Sequence, residues 1–253
     1  MGWNEVEISK KKIEVATRNF RGIDKDYFLS KIANAYMNLV GDGTTGIFCE
    51  DSLESPKNWR SEAKSKIELG TFDILLTNPP FGSTIKVEGE EKLKQFDLAH
   101  QWKRKKSDNE FEKNNIKDKE VPQILFIERC LQLLKDGGKM AIVLPDGILN
   151  NAKIIAIIDV SLETFLPHTG TKTSILVLQK IDKEKLPKNY PIFLSIAEYC
   201  GHDRRGKEIE KDDIPEVAKY FNEWITNNKM LSNGCKNSTC KFRRHSERTI
   251  SAF

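Results

Sequence analysis

Short apolar runs alternate with stretches of helical period along most of this chain. Residues 20–23 and 46–49 read as strands. Between them Phe28, Ile32, Ala35 and Leu39 recur at the spacing of a helix that Gly41 and Gly43 stop. Residues 72–76 form a third apolar strand, which ends at Thr77 and Asn78 because Pro79 and Pro80 cannot donate to a ladder. From 83 to 120 charges of both signs replace the pattern and predict a long loop or insertion. A helical stripe returns at Ile124, Ile127, Leu131 and Leu134, is closed by Gly137 and Gly138, and leads into a strand at 140–144. Further strands are predicted at 154–160, 174–178 and 192–196, with a short helix at 214–224. The last ~25 residues, rich in Asn, Ser and Arg, read as poorly ordered.

Strands alternating with helices define the α/β class and predict a parallel sheet. One link departs from that plan. Only residues 150–153 join the strands at 140–144 and 154–160, whereas a parallel crossover needs about a dozen residues. Either these strands pair differently or residues are missing between them.

Composition narrows the class further. A chain of 253 residues, 38% of them hydrophobic, can bury the core of one large domain or two small ones. It has no apolar run of membrane-spanning length and no leader-like start, so neither insertion in a membrane nor secretion is expected. The five cysteines are odd in number and scattered, which argues against a disulfide framework and for a reducing cytoplasm. Cys235 and Cys240 lack a second pair, and His202 and His245 stand alone, so no structural zinc site is expected. His168, beside Gly170, reads as a structural turn residue. The net charge of +4 favours a polyanion only weakly; local clusters matter more. Lys103, Arg104, Lys105 and Lys106 form one, and Lys241, Arg243, Arg244 and Arg248 another; each is either a phosphate contact or solvated surface.

The segment richest in chemistry is Asn78, Pro79, Pro80, Phe81 and Gly82, directly after the third strand. An amino group conjugated to an aromatic ring is a poor nucleophile because its lone pair is delocalised. Two acceptors, the Asn78 side-chain oxygen and the Pro79 carbonyl, would turn that nitrogen toward tetrahedral geometry and aim its lone pair at an electrophilic methyl group. The prolines stiffen the backbone, and Phe81 offers a flat face on which an extruded base can stack. Alone, Asn-Pro-Pro also suits an ordinary turn.

These residues, with Thr77 before them, resemble the catalytic motif of amino-methyltransferases acting on adenine in DNA. Arg21 to Asp26 is similar to that family's acidic second-strand motif, and Cys49 to Leu53 to its third-strand motif. The segments 138–150, 164–174 and 191–206 resemble the M subunits of type I restriction–modification systems in particular. The likeness therefore covers roughly residues 20–224. It implies a Rossmann-like S-adenosylmethionine-dependent methyltransferase fold, a DNA adenine-N6 methyltransferase activity, and specificity and restriction subunits as partners beside DNA. Carried over residue by residue, Asn78, Pro79, Pro80 and Phe81 would be catalytic. Asp24 would accept from the ribose hydroxyls of S-adenosylmethionine, and Asp51 would receive its adenine amino group with Ser52 beside it. Asp24, Asp51 and Asn78 would all stand at the carboxyl ends of parallel strands, where open α/β sheets place ligands.

The sequence departs from the family where a first strand and glycine-rich loop are expected before Asp24. Residues 1–19 are charged and helix-like, and the glycines at 41–46 come after the second-strand helix. The expectation is an N-terminally incomplete catalytic domain over residues 1–180 and a partly disordered extension over 181–253, binding S-adenosylmethionine poorly. The competing expectation is an inactive remnant acting as an interaction module. A third, methylation of RNA or of a protein glutamine amide, is disfavoured by the downstream segments. With no target-recognition domain, DNA binding by the chain alone is expected to be weak and salt-sensitive.

Overall fold

A computed structural model describes residues 4–39, 46–81, 85–104, 111–145, 153–166, 170–181 and 190–231. The chain divides into two compact units, the first holding Met1–Leu69 and Lys86–Arg129, the second Gly70–Ile85 and Cys130–Phe253.

The first unit opens with α1 (Glu5–Asn19). Asn4 caps it by accepting the Glu7 amide at 2.9 Å, while the Glu7 carboxylate accepts the Asn4 amide at the same distance, so two donors that the helix start would orphan are satisfied. β1 (Gly22–Asp24), α2 (Tyr27–Leu39), β2 (Ile47–Cys49) and α3 (Ser61–Lys66) follow. β1 and β2 pair in parallel, with Asp24 opposite Cys49. Asp26 starts α2 by accepting the Leu29 amide at 2.9 Å.

α2 meets the two strands with a face that its apolar period does not single out. Ser30 is buried, Ala33, Asn34 and Met37 are half-buried, and the Asn34 amide donates to the Ile47 carbonyl at 3.2 Å. Phe28, Ile32, Ala35 and Leu39 face solvent. Periodicity located the helix correctly, but the side packed on the strands is chosen by small residues and one strand-capping amide.

β3 (Phe72–Thr77) belongs to the second unit; the chain then supplies the first with β4 (Val87–Glu88), α4 (Glu90–Leu93), β5 (His100–Arg104), β6 (Phe111–Ile116), β7 (Lys119–Glu120) and the start of α5 (Pro122–Leu133). β4 pairs with β7 and β5 with β6, both antiparallel. The region expected as one long loop is thus largely ordered. Leu93, Phe96 and Ala99 recur every third residue and are fully buried with Leu53 and Leu125, while charges on the same segment pair with one another, as Lys113 does with Asp97 at 2.5 Å. Three buried residues among many charges are too sparse to register as a hydrophobic period.

The second unit is built on a five-stranded sheet. Its order is β11-β9-β10-β8-β3, where β8 is Leu134–Pro145, β9 Lys153–Asp159, β10 Thr173–Gln179 and β11 Phe193–Ile196. β3 runs parallel to β8 and β11 parallel to β9, but β10 is antiparallel to both of its neighbours. The sheet is mixed rather than wholly parallel. β9 does not pair with β8, which removes the short-crossover conflict; the joining residues 146–152 lie outside the described set.

Met140, Ile142, Leu144, Leu176 and Leu178 are buried along one face. On the other, Ile158, Val160, Ala197 and Val217 form a core joined by Phe165, Phe193 and Ile214. β12 (Cys200–His202) and β13 (Glu208–Asp212) make a hairpin, and α6 (Ile214–Leu231) lays Phe221 and Trp224 beside Phe193 at ring separations of 5.2 and 5.8 Å. The sheet and its core therefore continue well past residue 180. The C-terminal residues expected to be poorly ordered lie, from 232 on, outside the described residues, as do His168, Cys235 and Cys240. No described helix is long and apolar enough to cross a membrane.

Gly138 lets β8 approach β3. A Cβ there would sit 2.9 Å from the Phe72 carbonyl oxygen and 2.8 Å from that of Lys135, both backbone atoms. Gly138→Ala is expected to destabilise the fold by about 1–3 kcal/mol, the usual range for overpacking a tight site. Urea unfolding followed by circular dichroism measures it.

Candidate functional site

In the first unit the parallel pairing sets Asp24 at the carboxyl end of β1, and Asp51 stands two residues beyond the end of β2. Asp24 is half-buried, and its Oδ1 accepts the Asp26 amide at 2.7 Å, an Asx turn that leads the chain into α2. Its Oδ2 has no partner among the described residues. Asp51 is more heavily engaged. Its Oδ1 accepts the Leu53 amide at 3.0 Å, while its Oδ2 receives Lys92 Nζ at 2.9 Å and Lys25 Nζ at 3.2 Å. Ser52 is half-buried in the same turn.

That turn is fixed on several sides by groups of the first unit. The buried Trp59 donates its indole N–H to the Asp51 carbonyl at 3.0 Å. Lys92 bridges onward to Glu54 at 3.1 Å, and Gln95 donates to the Leu53 carbonyl at 3.0 Å. Arg129, 1% exposed, donates to the Glu54 carbonyl at 3.2 Å and to Gln95, with its guanidinium 4.8 Å from the Phe96 ring centre. Partial burial alone would raise the Asp51 carboxyl. Lys92, the Leu53 amide and Lys25 outweigh it and hold Asp51 below the ordinary carboxylate range. Lys92 shows the mirror image: burial opposes its charge, but Asp51 and Glu54 push its pKa up.

In the second unit β3 delivers Asn78 to the end of the strand. Asn78 is exposed, and its side chain makes no hydrogen bond among the described residues. Pro79 is fully buried and anchors the motif; Pro80 is exposed. Phe81 is half-buried, its ring 5.8 Å from that of Phe165 at an interplanar angle of 58°. Phe165 sits in a 3-10 turn, Leu162–Phe165, and packs on the Val160 core, so the motif's aromatic is backed by the sheet's own interior. The expected site residues thus form two groups, Asp24, Asp51 and Ser52 in one unit and Asn78 to Phe81 in the other.

Sequence reasoning missed Lys25, Trp59, Lys92, Gln95, Arg129 and Phe165. Trp59 and Arg129 could have been suspected, since a buried indole or guanidinium must find partners. Lys92 is one lysine among many in the charged stretch, and nothing in its spacing marks it.

Comparison with known proteins places this geometry. A putative class I S-adenosylmethionine-dependent methyltransferase from Listeria monocytogenes superposes with a TM-score of 0.52 at 19% identity, over 81% of this chain and 55% of the other. The modification subunit of a putative type I restriction enzyme from Vibrio vulnificus superposes at 0.51 with 16% identity, over 88% and 46%. At these identities the likeness establishes the fold, that of S-adenosylmethionine-dependent methyltransferases. The N-6 DNA Methylase family matches residues 5–244, and the chain belongs to that family. The type I restriction enzyme EcoEI methylase subunit of Escherichia coli is 28% identical over 122 residues, 43% of this chain and 21% of its own length. The chain thus spans about a fifth of that relative.

The network around Asp51 carries a stability consequence. A carboxylate whose folded pKa is depressed adds stability above its unfolded value, near 3.9, and loses it as pH falls through the folded value. Lys92→Met is expected to cost about 1.5–3 kcal/mol at pH 7, the scale of a charge-assisted hydrogen bond. The difference from wild type should shrink as pH falls from about 4, the unfolded carboxylate value, toward the lower value at which folded Asp51 takes up its proton. Urea unfolding of both proteins from pH 7 to pH 3 checks magnitude and sign.

Proposed function

We propose that this chain is catalytic-domain sequence of a DNA adenine-N6 methyltransferase of the type I modification-subunit kind. The observation that carries the reading is Asn78: an unengaged side-chain amide at the carboxyl end of β3, anchored by buried Pro79 and followed by Phe81. The Asn78 Oδ1 and the Pro79 carbonyl accept the two hydrogens of the adenine amine, which localises its lone pair and orients it for in-line attack. Phe81, stiffened by contact with Phe165, stacks on the extruded base.

The residues of the first unit fit the adenosine end of S-adenosylmethionine, which supplies an electrophilic methyl on sulfur. Asp24 keeps a free carboxylate oxygen for a ribose hydroxyl, and Ser52 stands near. Asp51 retains an acceptor position on Oδ1 for an exocyclic amine, beside the Leu53 amide. Specificity and restriction subunits are the partners this reading supplies, with DNA as substrate and the cytoplasm as setting. A second reading, an interaction module without activity, draws on one observation: two lysines already hold Asp51 Oδ2.

Asn78→Ala removes one transition-state acceptor and leaves Asp24 and Asp51 untouched. Turnover on adenine-containing DNA at saturating S-adenosylmethionine should fall by about 10²- to 10³-fold, the usual cost of one such hydrogen bond. Cofactor affinity, measured by calorimetry, should change little. An unaltered rate would reduce the motif to a turn.

A further inference from the structure

We propose that the β12–β13 hairpin and the 3-10 turn Leu162–Phe165 form a second nucleotide subsite, which holds the substrate DNA strand a few nucleotides from the target adenine. This role rests on the DNA methyltransferase reading and adds a second grip to it. Strand direction sets the placement. β8 runs parallel to β3, β10 antiparallel to β8 and β9, and β11 parallel to β9, so β3, β8, β9 and β11 all point the same way. Asn78 after β3, the 3-10 turn after β9 and the hairpin after β11 therefore leave the sheet at one edge. The turn ties the three together: Phe165 meets the Phe81 ring at 5.8 Å, and Glu163 accepts Arg204 Nε at 3.1 Å. All of these residues belong to the second unit.

Between turn and hairpin lies a cleft of about 440 Å³, a usual size for a ligand site. Its lining divides by chemistry. Tyr199 and Ile209 give it apolar surface, while Glu163 and Glu198 place carboxylates in it, which suit the amino edge of a base and repel phosphate. The cations stand outside, on the hairpin tip. There the Asp203 carboxylate accepts the Arg205 and Lys207 amides at 2.8 and 2.9 Å, the Asp203 amide donates to the Lys207 carbonyl at 2.8 Å, and Gly206 takes the left-handed φ of 78° that closes such a loop. Arg205 and Lys207 are exposed, and their side chains meet no partner among the described residues. Nearby acids are largely committed to the fold: Asp203 to the tip, Asp212 to the Ile214 amide, Asp213 to the Glu198 and Tyr199 amides. Glu208 and Glu210 stay exposed on β13, so the phosphate contact is confined to the tip. Two cations on a braced loop, beside a cleft that holds acceptors, match one nucleotide with its phosphate at the tip and its base edge toward the cleft. β9 and β11 stand three and four strands from β3, so at the usual strand spacing the subsite lies about 14–19 Å from Asn78, or roughly four to six phosphates along a strand.

The test uses the full chain and a DNA duplex with one unpaired adenine, carrying photoreactive 5-iodouracil at one position at a time. Cross-links to peptides spanning 198–209 are expected only from positions roughly four to six nucleotides to one side of the adenine. Binding is also followed against salt from about 50 to 200 mM. Arg205→Ala and Lys207→Ala should each reduce the slope of log affinity against log salt by about 1, the signature of one lost phosphate contact. Lys219→Ala, which removes an exposed lysine of α6, should leave the slope as it is. Unchanged circular dichroism and thermal unfolding report that each variant stays folded. An equal effect of Lys219→Ala would mean diffuse attraction and would overturn the proposal. So would unaltered slopes for both tip variants, cross-links confined to other segments, or no binding at the lowest salt. Neither readout uses methyl transfer, so failure here leaves the catalytic reading standing, and loss of that reading would show in the methylation assay with the cross-links intact.

Discussion

The parallel pairing of β3 with β8 is the contact on which the proposed catalytic motif depends. It brings two backbones together at Phe72 and Gly138 with no room for a side chain, and it fixes where the strand stops. Beyond Thr77 the chain meets Pro79 and Pro80, which can neither extend the ladder nor relax into a helix. Asn78 therefore stands at the end of the sheet with no side-chain hydrogen bond among the described residues, as the proposed acceptor of a substrate's hydrogens requires. Pro79, buried, keeps that placement from drifting.

A different physical device holds the acidic turn of the first unit. No sheet interior supports Asp51; instead Trp59, Lys92, Gln95 and Arg129 each donate to the few residues between Asp51 and Glu54. Two of the four, Lys92 and Gln95, come from the stretch 83–120 that reads as loop, and Arg129 comes from α5. This stretch is a brace, and its charges serve the turn as well as solvent. The arrangement also lowers the Asp51 pKa below the ordinary carboxylate value, because its charge is compensated before any ligand arrives.

Much of this was legible in the sequence where chemistry and period coincide. β3 and its proline stop, α5, β9 and β10 follow from apolar runs and breakers, and Asp24 ends β1 while Asp51 lies two residues past β2, as their motifs imply. What escaped has specific causes. The antiparallel insertion of β10 between β8 and β9 is a long-range choice that no local pattern encodes. The brace was hidden because Leu93, Phe96 and Ala99 are three buried residues in a sea of charge, and Lys92 because lysines are common there. α2 shows the limit of periodicity most plainly, since its apolar stripe faces solvent among the described residues.

The central claim is that Asn78 and Pro79 present two acceptors to the exocyclic amine of an extruded adenine. The most direct measurement is mass spectrometry of nucleosides from DNA incubated with the full chain and methyl-deuterated S-adenosylmethionine at saturating concentration. The account predicts a deuterated methyl on N6 of deoxyadenosine, lost in step with Asn78. Label on a ring nitrogen or ring carbon, where no pair of amine hydrogens exists to be accepted, or no label from folded protein with bound cofactor, would contradict it.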